Sequence, residues 1–258
     1  MKKYACLAIT ALAFLVTGCA SREKMIYLND LEGNSQTEIT NSYQPKLQPD
    51  DVLSIIVNSN APELVAKFNP SLLIFQQGSE MGSGQQRLQT YLIDAEGYII
   101  FPEIGKIQLG GLTTAEATEK LTTLIKPRVA DATINLRLMN FKVTVQGEVA
   151  RPGTYTIESE RITLFQALSL AGDIGIYGKR GNILVIREVD GKRTYNRVDI
   201  TNSDFTNSDF YYLSPNDVVY VEPNKVRINS SAVGPNLTFV LSAVSLLTTI
   251  VVVIITYN

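Results

Sequence analysis

The chain has 258 residues, 45% of them hydrophobic and 19% charged, which is enough apolar material for one or two buried cores and too much for a disordered polypeptide. Its 23 basic and 25 acidic side chains give a net charge of −2 and are scattered, so no footprint for nucleic acid or anionic lipid is present. Histidine and tryptophan are absent and the only cysteines are Cys6 and Cys19, which removes the usual general base and the usual transition-metal ligands; no catalytic, cofactor-binding or metal-binding residue is expected.

Lys2 and Lys3 precede an apolar run from Ala5 to Val16, a positive start followed by a core too short to span a bilayer, which reads as a secretory signal over residues 1–18. It closes on Val16-Thr17-Gly18-Cys19, similar to the bacterial lipobox, so Cys19 is expected to be acylated and to become the new N-terminus. Ala20 is compatible with sorting to the outer membrane. Cys6 leaves with the signal, so stability must come from cores and assembly rather than from a disulfide. Residues 19–45 are polar and read as a tether with one apolar patch, Met25-Ile26-Tyr27-Leu28.

A first folded domain is expected over 46–139. It opens with Leu47-Gln48-Pro49-Asp50-Asp51-Val52, a proline-preset turn feeding an alternating strand. The side-by-side carboxylates of Asp50 and Asp51 are assigned to the turn, since adjacent strand positions point to opposite faces. Gln76 to Arg87 is rich in Gly, Ser and Gln and reads as a surface insertion. Tyr91 to Ile93 and Tyr98 to Phe101, around Asp94-Ala95-Glu96-Gly97, read as a hairpin. Thr113 and Glu116 have the spacing of a capping box, predicting a helix to about Lys126 that buries Ala117, Leu121, Leu124 and Ile125 before Pro127. Ala132 to Leu138 then alternates as a strand.

A second domain is expected over 140–224. Phe141 to Val149 is a strand, and Arg151-Pro152-Gly153-Thr154-Tyr155 has the composition of a type II turn. Thr163 and Gln166 repeat the capping box for a helix ending at Gly172. Asn182 to Val189 and Arg193 to Val198 pair across Asp190-Gly191. Leu213-Ser214-Pro215-Asn216-Asp217-Val218 echoes the Leu47 segment in form. After a linker over 225–236, residues 237–257 carry no charge and, at about 1.5 Å per residue, make a helix about 31 Å long, read as a transmembrane span. Thr238, Ser242, Ser245, Thr249 and Thr256 fall on one face of it, a seam that could meet neighbouring copies or line a lumen, unless each hydroxyl simply bonds the carbonyl four residues back.

The order of these motifs resembles the Wza-type polysaccharide biosynthesis/export family. The residues that carry the likeness are the lipobox, Leu47 to Leu53, Asp94-Ala95-Glu96-Gly97-Tyr98-Ile99-Ile100-Phe101-Pro102 with Ile104-Gly105, the Thr113 helix, Val145-Gln146-Gly147-Glu148-Val149, Pro152-Gly153-Thr154-Tyr155 and Pro215-Asn216-Asp217. The resemblance implies an α+β chain with a polysaccharide export domain followed by one β-grasp domain of the SLBB (soluble-ligand-binding) type, then the terminal helix. It implies a lipoprotein of the outer membrane with its bulk in the periplasm, a homo-oligomeric ring, a polysaccharide substrate and an inner-membrane polysaccharide co-polymerase as partner. In that family an amphipathic terminal helix lines a wide pore, whereas this one is almost wholly apolar. The rival reading is a lipid-anchored periplasmic ligand-binding protein, which β-grasp modules also serve; an envelope hydrolase would need a nucleophile with a base, and neither His nor Gly-x-Ser-x-Gly occurs.

Overall fold

The computed structural model describes residues 22–31, 45–74, 85–189, 191–232 and 235–257; the signal segment, Cys19 and the greater part of the Gln76–Arg87 insertion lie outside them. In the first domain the chain runs through β1 (Val52–Asn58), α1 (Pro62–Val65), β2 (Ser71–Ile74), β3 (Gln85–Leu88), β4 (Thr90–Leu92), β5 (Tyr98–Phe101), β6 (Gly105–Gln108), α2 (Thr114–Ile125) and β7 (Thr133–Leu138). Strand β1 is the centre of an antiparallel sheet ordered β4-β1-β7. Its alternation places Leu53, Ile55 and Val57 in the core, the period-two pattern of a half-buried strand.

Helix α2 closes the other side. Thr113 Oγ1 accepts the Glu116 N–H (3.2 Å) and the Glu116 carboxylate accepts the Thr113 N–H (2.8 Å), so the box forms as the spacing predicts. Ala117, Leu121 and Ile125 are buried, with Leu124 packed at the margin. Phe68, Tyr91 and Phe101 join the same core, with ring centroids 6.4 Å and 5.1 Å apart.

Two local expectations change in this domain. Strand β3 takes the end of the segment read as insertion and pairs with β2; backbone pairing needs no apolar side chains, so composition does not reveal it. The Asp94–Gly97 turn forms, with Gly97 N–H donating to the Asp94 carbonyl (2.9 Å), but its flanking strands do not pair as one hairpin. β4 goes to β1, and β5 pairs with β6. The reason lies at Gly97, whose carbonyl accepts both Leu109 and Gly110 N–H groups (2.9 and 2.8 Å). The backbones meet so closely that a Cβ on Gly110 would lie 2.7 Å from Gly97 Cα, and the returning strand thereby captures β5.

The second domain comprises β8 (Lys142–Gly147), β9 (Gly153–Thr156), β10 (Ile162–Thr163), α3 (Leu164–Leu170), β11 (Gly178–Val189), β12 (Lys192–Val198), β13 (Tyr212–Leu213) and β14 (Val218–Pro223). Its sheet is ordered β12-β11-β14-β8-β9. β14 and β8 are parallel and the other neighbours antiparallel, with α3 packed over a core of Val143, Val145, Ile183, Val185, Val219 and Val221. One helix on a five-stranded mixed sheet is the β-grasp arrangement expected. The Thr163–Gln166 capping box is present. Gly153 does not take the positive φ that a type II turn requires; the left-handed residue of that bend is Gly147 (φ +92°), where a Cβ would collide with the Val221 carbonyl.

The last segment corrects the sequence reading most. Part of the expected linker is helical, α4 (Lys225–Ala232), and α5 spans Pro235–Tyr257. Among the described residues no helix is long and apolar enough to cross a membrane, so the transmembrane span over 237–257 is withdrawn. Ser242, Ser245, Thr248 and Thr249 place four hydroxyl side chains within about two turns near the middle of α5 and dilute its apolar character. Phe239, Leu246, Leu247 and Val252 on this helix are all exposed.

Candidate functional site

The echo between Leu47–Val52 and Leu213–Val218 is real at atomic level. In each, the N–H of the residue before proline donates to an aspartate Oδ2, Gln48 to Asp51 and Ser214 to Asp217, both at 2.8 Å. The aspartate N–H returns to the carbonyl of that same residue at 3.2 Å in both. The third residue is left-handed, Asp50 at φ +69° and Asn216 at +66°, conformations that Asp and Asn tolerate better than most residues. Asp51 and Asp217 are both buried, so the turn role expected of Asp51 is played from the core.

Their surroundings differ. Arg187, from β11, reaches Asp217 with Nε and Nη2, the shortest contact being 2.7 Å, and its remaining donors take the Asp209 and Tyr212 carbonyls. Burial raises the Asp217 pKa, and the guanidinium works against that rise. Asp51 has no such cation, and its Oδ1 meets no donor among the described residues. Burial, with the Asp50 charge adding to it, pushes the Asp51 carboxyl up to about 6. Asn140 stabilises this first turn instead: its Oδ1 accepts the Val52 N–H and its Nδ2 donates to the Asp50 carbonyl, both at 2.9 Å. Arg187 and Asn140 carry no sequence signal, because each acts across a separation of 30 residues or more.

The apolar patch in the tether is also a site. Residues 22–31 lie on the second domain: Leu28 and Asn29 N–H groups donate to the Ile200 and Thr201 carbonyls (3.2 and 2.8 Å). Asp30 accepts the Ser203 N–H (2.8 Å) and hydroxyl (2.6 Å). Tyr27 packs on Phe165 (5.7 Å between centroids), lies under the Arg180 guanidinium (5.4 Å) and donates its hydroxyl to Asp173. Burial and the Asp173 carboxylate push that phenol up to about 12. The stretch read as tether is thus pinned by an aromatic anchor.

Between the domains runs an open groove, formed by adjoining cavities of about 820 and 550 Å³. Thr114, Thr118 and Thr122 of α2 line one wall, and Ser159, Glu160 and Arg161 the other. The Thr118 and Thr122 hydroxyls donate to the carbonyls four residues back (2.7 Å each). The groove is mixed in character, with Leu136, Leu138, Met139 and Phe141 beside the hydroxyls and charges. No group of three or more His, Cys, Asp or Glu that could hold a metal occurs among the described residues.

Of the seam on α5, Ser242, Ser245 and Thr249 have described side chains and are exposed, while those of Thr238 and Thr256 fall outside the description. Thr248 and Thr249 hydroxyls donate to carbonyls in the preceding turn, Thr249 to Ser245 at 2.8 Å. Cys19, the expected lipid attachment point, lies outside the described residues.

The family of polysaccharide biosynthesis/export proteins matches residues 40–147, and the SLBB domain matches residues 141–221. The two matches, in this order, support the resemblance to the Wza-type polysaccharide biosynthesis/export family. It is similar to the EPS I polysaccharide export outer membrane protein EpsA of Ralstonia solanacearum, 28% identical over 193 residues that cover 72% of this chain and 50% of that protein. It is also similar to the protein of the same name from Ralstonia nicotianae, 31% identical over 127 residues covering 48% of this chain and 33% of the relative. The chain therefore spans half the length, or less, of the curated relatives it matches.

Proposed function

We propose that this chain is a subunit of an outer-membrane assembly that passes a polysaccharide, capsule or exopolysaccharide, out of the cell without catalysing a reaction. The observation that carries the reading is the direct splice of an export domain to an SLBB domain. β7 ends at Leu138 and β8 begins at Lys142, and the intervening Asn140 is hydrogen-bonded into the first turn of the export domain. The printed names of the Ralstonia relatives point the same way. Cys19 carries the lipid, and the bulk of the chain stands in the periplasm.

Copies close into a cyclic homo-oligomer around the path of the polymer, and an inner-membrane polysaccharide co-polymerase delivers it. The exposed apolar surface of α5 is the kind of surface that assembly covers. Its small hydroxyl-bearing face, Ser242, Ser245 and Thr249 with Thr238 and Thr256 in register, is where neighbouring copies meet.

Single-particle electron microscopy of the full-length lipoprotein in mild detergent tests this. A closed ring with a central lumen is the expected result. A protein that stays monomeric across detergents overturns it in favour of a lipid-anchored ligand-binding protein.

A further inference from the structure

We propose that residues 22–31 are a strap that clips the lipidated N-terminus to the second domain and sets the surface around Ile176 and Tyr177 onto the lipid headgroup layer. The inference rests on the reading of Cys19 as the acylated residue. Three residue steps separate Cys19 from Arg22, where the described strap begins. At about 3.5 Å per step, the acylated residue is held within about 10 Å of the strap. A free tether of 27 residues would let the domains wander far from the bilayer; the strap removes that freedom.

The chain of contacts from strap to surface is continuous. Arg180, which covers Tyr27, also meets Met25 Sδ (3.9 Å) and donates to the Ile174 and Gly178 carbonyls (3.0 and 3.4 Å). The loop so held presents Ile176, 66% exposed, and Tyr177, 40% exposed. On its far side the Asn224 N–H donates to the Tyr177 carbonyl (2.7 Å), and Arg227 lies over the Tyr177 ring (5.7 Å) while pairing with Glu148 (2.8 Å). Met25, Ile26, Val226 and Ile228 are exposed on the two segments flanking this loop. Apolar side chains, a half-exposed tyrosine and a basic residue on one surface are the chemistry of the membrane interface, where amphipathic side chains bury their stems and keep polar tips wet. The lipid on Cys19 anchors the chain end but does not orient the domain, and this contact would supply the orientation.

The test uses lipidated full-length protein carrying Ile176→Cys, labelled with an environment-sensitive dye, on vesicles of phosphatidylethanolamine and phosphatidylglycerol. Acylation occupies the Cys19 thiol and Cys6 leaves with the signal, so the installed thiol is the reactive one. A blue shift and several-fold loss of iodide quenching at position 176 are expected, with no change for a label introduced by Ile100→Cys, a site on the first domain that is 79% exposed. Adding Tyr27→Ala, or the milder Asp173→Asn, should leave the protein vesicle-bound and restore quenching at 176. Quenching at 176 that is the same with and without vesicles, in protein that co-sediments with them, overturns the strap. So does protection already present before vesicles are added, which would mean that a second copy covers this surface. Mass spectrometry showing an unacylated Cys19 would instead remove the lipoprotein reading beneath it.

Discussion

The turns at Gln48–Asp51 and Ser214–Asp217 share a hydrogen-bond pattern, a left-handed third residue and a buried aspartate, yet they are docked differently. In the first, one residue of the neighbouring strand does both jobs: Ile93 accepts the Asp50 N–H (3.0 Å) and donates to the Asp51 carbonyl (2.9 Å). In the second, the work is divided between Lys142, which accepts the Asn216 N–H (2.8 Å), and Thr144, which donates to the Asp217 carbonyl (2.9 Å). That is the difference between an antiparallel and a parallel neighbour. The lesson is that a local motif fixes its own geometry but not the charge balance around it. The second turn received a bidentate arginine and the first received an asparagine and a carboxylate oxygen with no donor among the described residues.

The largest break in the comparison should come from Asp217→Asn. Removing the charge of one member of a buried ion pair leaves the other uncompensated: Arg187 would keep neutral acceptors such as the Asp209 and Tyr212 carbonyls but no anion to balance it. A loss of about 3 kcal/mol or more is expected, read as a lowered urea midpoint for the mature protein. The same change in the first turn should act in the opposite direction. With its carboxyl raised from 3.8 to about 6, Asp51 favours folding less when ionised. The cost is absent below pH 4, grows between pH 4 and 6, and is fully present above, approaching about 3 kcal/mol at about 1.4 kcal/mol per pKa unit. Asp51→Asn should therefore be more stable than wild type at pH 8 and equal to it near pH 4. The difference between their stability curves isolates this residue from Glu116, Asp131 and Asp94, whose hydrogen-bonded carboxylates lie below their usual range and lose stability as pH falls. A flat difference curve would refute the assignment.

Asn140→Ala comes next. It frees the Val52 N–H and the Asp50 carbonyl together, and a loss of about 1–2 kcal/mol is expected, measurable by the same unfolding experiment. Smallest is Asp50→Asn, which keeps a residue tolerant of positive φ and removes the negative neighbour that adds to the rise at Asp51. It should move the midpoint of the Asp51 titration downward by a fraction of a unit, visible as a shifted side-chain carboxyl resonance.

Much of this was legible in the sequence because it is local. Proline before Asp or Asn, and Thr three residues before Glu or Gln, encode turns and caps within four residues, and both repeats form. What could not be read depends on partners far along the chain. Arg187 meets Asp217 across 30 residues, and Tyr27 meets Asp173 across 146. The Tyr98–Phe101 strand pairs beyond the turn that precedes it because two glycine backbones touch. The terminal helix was judged on length and absence of charge, and its helicity is found; its hydroxyl-bearing turns and exposed side chains do not make the span that was expected.

The position of β14 has a kinetic consequence. It is the last strand of its sheet in chain order, and it sits in the middle, between β11 and β8. The first sheet is complete once β7 has emerged, but the second leaves two open edges until Val218–Pro223 arrives to fill the gap. Non-local pairing of this kind delays folding, and unpaired edges recruit other chains. During synthesis, then, the first domain can settle as soon as its own residues have emerged, whereas the second stays vulnerable to wrong pairing until Val218–Pro223 follows.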